Sequence, residues 1–162
     1  MYYYRKGSAA SRLTPSDLDE DYITKAKYMH IMGITPALSV SCQETIFSAI
    51  AMACRHGVKI VFDPNLRLKL WQEDRAKEVM FRIATQADIA LLGIAEAVFL
   101  FGAQPLEELG KLFLNNGASL VVLKLGAKGA HYFTIKRIGL FPDFWWNKSS
   151  IRLERATDLR PD

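Results

Sequence analysis

Apolar residues recur along this chain with two alternating periods. Val58 to Phe62, Asp88 to Leu92 and Leu120 to Leu125 are short apolar runs bounded by turn residues, which predicts buried strands. Around them the stretch opened at Ser41 and stopped at Gly57, and Glu73 to Ala84, Ala95 to Phe101 and Pro105 to Asn116, place apolar residues at helical spacing. In the first of these, Ile46, Phe47, Ile50, Ala51, Ala53 and Cys54 form the expected inward face. Val79, Met80 and Ile83 form it in the second, and Leu106, Leu109, Leu112 and Phe113 in the last. Ser41-Cys42-Gln43-Glu44 has the spacing of a capping box, and Gly57 and Gly117 stand where helices stop.

Upstream, Tyr2 to Arg5 is β-prone, Thr14-Pro15-Ser16-Asp17 opens a short helix, and Ala26 to Met32 predicts another strand ending at Gly33. Downstream, Gly126-Ala127-Lys128-Gly129 turns the chain and Ala130 to Thr134 returns as a short strand. The order β-α-β-α-β-α-α-β-β predicts the α/β class: a mainly parallel, doubly wound sheet with helices on both faces.

Composition narrows the function classes. The chain has 162 residues, half of them apolar, which suits one core. A formal charge of +4 without a basic block or interleaved aromatics argues against nucleic acid as a partner. No apolar run is long enough for a membrane span, and Met1 to Lys6 is not a signal peptide. Cys42 and Cys54 fall on one predicted helix without metal or redox spacing. His30, His56 and His131 stand apart, so a zinc site is not expected. Reduced thiols suit a cytoplasmic setting.

The strand tips hold the candidate chemistry. In an open α/β sheet the C-terminal ends of parallel strands share one edge, and ligands bind there. Four tips matter: Gly33-Ile34-Thr35, Asp63-Pro64-Asn65-Leu66-Arg67, Gly93-Ile94-Ala95-Glu96 and Lys124 to Gly129. That edge carries cations, an amide, a carboxylate and glycines, a set suited to phosphate and, with Mg²⁺, to phosphoryl transfer. Each piece also has a plain structural reading. Asp63 to Arg67 fits an Asx-type turn with a solvated arginine. Gly126 to Gly129 fits a hairpin turn, Glu96 a favourable charge at a helix start, and Tyr3 and Tyr4 packing aromatics. A Walker loop and a Gly-x-Gly-x-x-Gly dinucleotide fingerprint are both absent.

Taken together these residues resemble the ribokinase-type (PfkB) carbohydrate kinases, and within them the 2-keto-3-deoxygluconate kinase branch. The resemblance rests on Tyr3-Tyr4-Arg5-Lys6-Gly7-Ser8-Ala9-Ala10-Ser11, Leu13-Thr14-Pro15, His30-Ile31-Met32-Gly33-Ile34, Phe62 to Arg67 with Leu70-Trp71, Gly93 to Glu96, and Lys124 to Ala130, in family order. It implies that Tyr3, Arg5 and Arg67 hold a sugar acid, whose carboxylate suits a guanidinium fork. It also implies that Asn65, Lys124, Gly126, Ala127, Lys128 and Gly129 line the ATP side, and that Glu96 helps position hydrated Mg²⁺. Gly93 stands where the family usually has asparagine, which weakens the metal assignment. Kinases of fructose, ribose or a nucleoside share most of this pattern. A non-catalytic remnant or binding fragment is the alternative from another class.

Two departures follow from the same resemblance. The family's N-terminal strands and lid have no counterpart before Met1, and the motif Asp-Thr-x-Gly-Ala-Gly-Asp-Gly, with its catalytic aspartate and anion hole, is missing. No catalytic residue is therefore assigned. Residues 1–140 are expected to be the central part of a ribokinase-like domain and residues 141–162 a non-family tail. Reverse-translated one base earlier, Pro142 to Asp162 can read PGFLVEQVVDTVGAGDGFAAG, which contains the whole missing motif. First and second codon bases leave little freedom, so the tail is expected to be out of frame, with the lost aspartate encoded across Ala156 and Thr157. An incomplete sheet should also leave apolar surface and an unpaired edge, favouring self-association.

Overall fold

The computed structural model describes residues 7–141. Tyr2 to Arg5 and the tail from Pro142 onward, with Phe144-Trp145-Trp146, lie outside the described residues. Six strands form one sheet in the unbroken order β1 (Tyr28–Met32), β2 (Lys59–Asp63), β3 (Ile89–Gly93), β4 (Leu120–Lys124), β5 (Ala130–Thr134) and β6 (Ile138–Phe141). β1 to β4 run parallel, and β5 and β6 return antiparallel. The helices are α1 (Glu20–Thr24), α2 (Val40–Arg55), α3 (Glu73–Ala84), α4 (Ile94–Phe101) and α5 (Leu106–Asn115). This is the α/β, mainly parallel architecture that the pattern predicts.

Local differences have local causes. The cap of α2 is Ser39, two residues before the expected Ser41. Ser39 is extended and its hydroxyl accepts the Cys42 N–H at 3.1 Å, so the helix already runs at Ser41. The α2 face turns accordingly: Cys42, Thr45, Ala49, Ile50 and Ala53 are buried, while Ala51 and Cys54 are exposed. Thr14 to Asp17 closes a 3-10 turn in which Asp17 accepts the Thr14 N–H at 2.8 Å; α1 begins separately after an Asp19 cap. Glu20 ties α1 to the end of α2 through Arg55 (2.8 Å) and His56 (3.0 Å), and the Arg55 hydrogen bond above all lowers its carboxyl pKa. β6 is a strand that periodicity misses.

The two sheet faces differ. Ile60 and Phe62, Ala90 and Leu92, Val121 and Leu123, and Phe133 share one face by register, and all are buried in a single cluster with residues of α2 to α5. Ring contacts join those helices into one layer. Arg82 of α3 sits 4.3 Å over Phe47 of α2, and Phe101 of α4 meets Phe81 of α3 and Phe113 of α5 at 5.6 and 4.6 Å. α5 lies close on β5 because Gly110 has no side chain; a Cβ there would run into the Phe133 ring.

A strand order that never reverses puts every right-handed crossover on the same side, which is the physical reason for this single layer. The opposite face, where helices were also expected, presents Val61, Ile89, Leu91, Leu120, Val122 and Tyr132, none fully buried and none fully exposed. A parallel sheet normally has both faces covered.

Candidate active site

The expected edge forms as a unit. β1, β2, β3 and β4 all point their C-terminal ends the same way, with Met32 paired to Asp63 and Gly93 paired to Lys124. Asp63 and Lys124 meet across the intervening β3: Lys124 Nζ donates to Asp63 Oδ2 at 3.0 Å. Gly93 beside them carries no side chain to intervene. The lysine expected to face a nucleotide is therefore held in an ion pair whose carboxylate ends β2.

The loop after β2 is anchored twice. On the β1 side, Gly33 N–H donates to the carbonyls of Asp63 (3.3 Å) and Pro64 (3.0 Å). On the other side, Glu96 Oε1 accepts the Leu66 N–H at 2.9 Å, while Oε2 accepts the Gly93 N–H at 2.7 Å. Between the anchors, Asn65 takes φ 41, the left-handed region that asparagine tolerates better than most residues. That turn delivers Arg67, whose Nη1 donates to the Leu66 carbonyl at 3.0 Å. Arg67 Nε and, further along the loop, Trp71 Nε1 are buried and have no hydrogen-bond partner among the described residues. A buried orphan donor is costly, and a guanidinium left with one is poised to accept an anion.

After β4, Gly126 to Lys128 makes a 3-10 turn between Leu125 and Gly129. Gly126 at φ 60 and Gly129 at φ 83 adopt backbone that favours glycine. Leu125 N–H donates to the Gly129 carbonyl at 2.8 Å and closes the turn. Gly126, Ala127 and Lys128 are exposed at the edge of the sheet. Among the described residues, no group of three or more His, Cys, Asp or Glu could hold a metal ion unaided. Mg²⁺ in phosphoryl transfer is commonly held by one or two carboxylates plus the phosphates, and the carboxylates at this edge, Asp63 and Glu96, are both hydrogen-bonded within the protein.

The edge thus gathers Asp63, Asn65, Arg67, Glu96, Lys124 and the Gly126 to Gly129 turn. Tyr3 and Arg5 lie outside the described residues. The sequence places Gly33 at a strand tip, but its role as an anchor of the loop after β2, through the Asp63 and Pro64 carbonyls, is not legible there. Its place at the end of a strand, before a proline-containing loop, was the available signal.

Beside a second wall of the same loop, Trp71, Gln72 and Arg75 face Pro36, Ala37, Ser39 and Val40 across a cavity of about 290 Å³. No helix of the described residues is long and apolar enough to cross a membrane.

Comparison with known proteins places the edge in context. The sequence pattern of the pfkB family carbohydrate kinases matches residues 1–149. The chain is 38% identical over 133 residues to a 2-dehydro-3-deoxygluconokinase of Bacillus subtilis, covering 82% of this chain and 41% of that protein. The crystal structure of a PfkB protein from Polaromonas sp. JS666 superposes with a TM-score of 0.84 at 35% identity, over 88% of this chain and 49% of the other. A fructokinase from Vibrio cholerae O395, crystallised with fructose, ADP and calcium ion, superposes with a TM-score of 0.76 at 31% identity, over 85% of this chain and 44% of the other. The chain therefore spans less than half the length of these relatives.

Proposed function

The chain belongs to the pfkB family of carbohydrate kinases, and on that premise we propose that its strand-tip edge is the sugar-acid and nucleotide site of an ATP-dependent kinase. The substrate we assign is 2-keto-3-deoxygluconate, phosphorylated on its terminal hydroxyl in the cytoplasm. The observation that carries the reading is Arg67, delivered by the Asn65 turn with a buried guanidinium nitrogen that has no partner among the described residues. A sugar carboxylate supplies the missing acceptor, and a planar fork recognises it better than an ammonium does. In this reading Tyr3 and Arg5 join Arg67 at the sugar. Asn65, Lys124, Gly126, Ala127, Lys128 and Gly129 face ATP, whose Mg²⁺ neutralises charge on the transferred phosphoryl group. The two free thiols, Cys42 and Cys54, suit a reducing compartment.

The same proposal makes this chain by itself a poor catalyst. Its sequence lacks the Gly-Ala-Gly-Asp motif that supplies the base and anion hole in the family it resembles. A general base alone is worth about 10²–10⁴ in rate, and an oxyanion donor about 10²–10³. Residues 141–162 are read as an out-of-frame tail, although the family match extends to residue 149, and the gene's own codons test where the frame changes. Codons incompatible with the alternate frame end the idea.

Calorimetry and a coupled ADP-release assay test the function. The chain should bind 2-keto-3-deoxygluconate more tightly than fructose, with turnover at background. Arg67→Lys should erase most of that preference, about 10-fold or more by the worth of a charged hydrogen bond. Equal affinity for acid and neutral sugars would favour the fructokinase reading, for which the Vibrio relative is the specific support. Substantial turnover would overturn the inactive-chain reading. Failure to bind either sugar or nucleotide would favour a non-catalytic remnant.

The open sheet face belongs to the proposal as well. With Leu91 and Val122 only partly buried on a parallel sheet, the chain should self-associate at micromolar concentration in sedimentation velocity. Leu91→Lys together with Val122→Thr should shift it toward monomer. A monomer in both proteins would remove that part.

A further inference from the structure

Glu96 is bound on both oxygens by backbone N–H groups of two different segments, Leu66 in the loop after β2 and Gly93 at the end of β3. The sheet itself does not join those segments. Pairing between β2 and β3 covers only Val61 with Ile89 and Phe62 with Ala90, whereas β1–β2 and β3–β4 stay in register to the last residue of each strand. Beyond Phe62 the β2 chain has left β3, and Asn65 turns in the left-handed region. Glu96 spans that gap from the first turn of α4, where its charge is also favoured by the helix.

We propose that Glu96 is a positioning residue: its carboxylate fastens the 65–67 turn to β3 and so sets the direction of Arg67, instead of contacting a metal ion as the family resemblance implies. The chain of contacts is continuous, from Glu96 Oε1 to Leu66 N–H, and from the Leu66 carbonyl to Arg67 Nη1. Each link fixes one peptide unit of the same residue. A carboxylate is the group this task needs, because it accepts at both oxygens and donates at neither. Glutamine can accept only at one oxygen and turns an NH₂ toward the other N–H. Aspartate is one methylene too short to reach both donors.

The consequence for substrate binding rests on the assignment of Arg67 to the sugar carboxylate, but the clamp can be tested without it. In the ligand-free and metal-free protein, amide hydrogen exchange followed by NMR should find Leu66 and Gly93 protected. Glu96→Gln and Glu96→Asp should each speed exchange at Leu66 by about 10-fold or more, with the central strand amides of Leu92 and Val121 unchanged. Adding Mg²⁺ to the wild-type protein should leave both protections as they are.

In a second arm, Glu96→Gln should weaken 2-keto-3-deoxygluconate binding while ADP binding with Mg²⁺ is retained. Unchanged Leu66 exchange in both variants, or loss of Mg²⁺-dependent ADP binding with Leu66 still protected, would overturn the clamp and restore a metal role. If the wild-type chain binds no sugar acid, the assignment of Arg67 fails, and the exchange arm still decides Glu96.

Discussion

Gly33→Ala is expected to destabilise the protein by about 2–4 kcal/mol, the sum of an overpacked core contact and a weakened backbone hydrogen bond. Gly33 is buried at the end of β1, and a Cβ there would overlap the Pro64 carbonyl and the Met80 thioether. The carbonyl is backbone and cannot swing aside. Met80 is 1% exposed within the core, so its thioether can yield only by repacking its neighbours. The collision can be relieved only by pushing β1 away from the loop that follows β2, which breaks the Gly33 N–H contacts to Asp63 and Pro64.

A loss of this size is a large share of the roughly 5–15 kcal/mol that holds a typical domain together. Urea unfolding should show it as a lowered midpoint with little change in slope. Gly93→Ala is the matched control. Gly93 has φ −73, and a Cβ there would meet nothing nearer than Glu96 Oε2 at 3.4 Å, so its midpoint should move little. Equal midpoints for Gly33→Ala and wild type would show that the anchor at the β1 tip is not rigid. The same substitution should also loosen the Asn65 turn from its β1 side, leaving Glu96 as its remaining anchor.

Phe62→Ala should cost more, about 3–5 kcal/mol, the usual range for emptying a phenylalanine site in a packed core. Phe62 is fully buried, lies between Ile31 and Ala90 by register, and points into the helix layer. Its neighbour Val61 points to the open face and is only partly buried. Truncating Val61 to alanine removes a smaller side chain that is already partly in water, so roughly 1 kcal/mol or less is expected. The contrast between adjacent residues of one strand is the measurement of interest. Comparable losses at both positions would mean that the open face is covered in solution, by another copy or by the chain outside residues 7–141. Without cover, Phe62→Ala should lower the urea midpoint far more than Val61→Ala does.

The strands and long helices were legible in the sequence because burial is enforced locally by period. Val79, Met80 and Ile83 fall at the spacing of one helix face, and the apolar run Val58 to Phe62 between turn residues reads as a buried strand. The turn residues were legible for the same reason, since Asp63-Pro64 and Gly126 to Gly129 break any regular pattern. The Ser39 cap was less so, because Ser39 and Ser41 are both competent caps and the spacing to Glu44 favoured the wrong one. β6 carries no period of its own; it exists because β5 offers a free edge. The one-sided helix layer could not be read either, since periodicity reports that a face is buried and not which side of the sheet it covers.

At the candidate site, the residue types came from the sequence and the contacts did not. A parallel α/β order is enough to bring Asp63, Gly93 and Lys124 to one edge, because strand direction is set by the alternation of strand and helix. Whether Lys124 faces a nucleotide or Asp63, and whether Glu96 faces a metal or two backbone N–H groups, depends on distances of a few ångströms. Those distances are set where β2 parts from β3 after Phe62, a divergence fixed by packing over the whole sheet and written in no single stretch of residues.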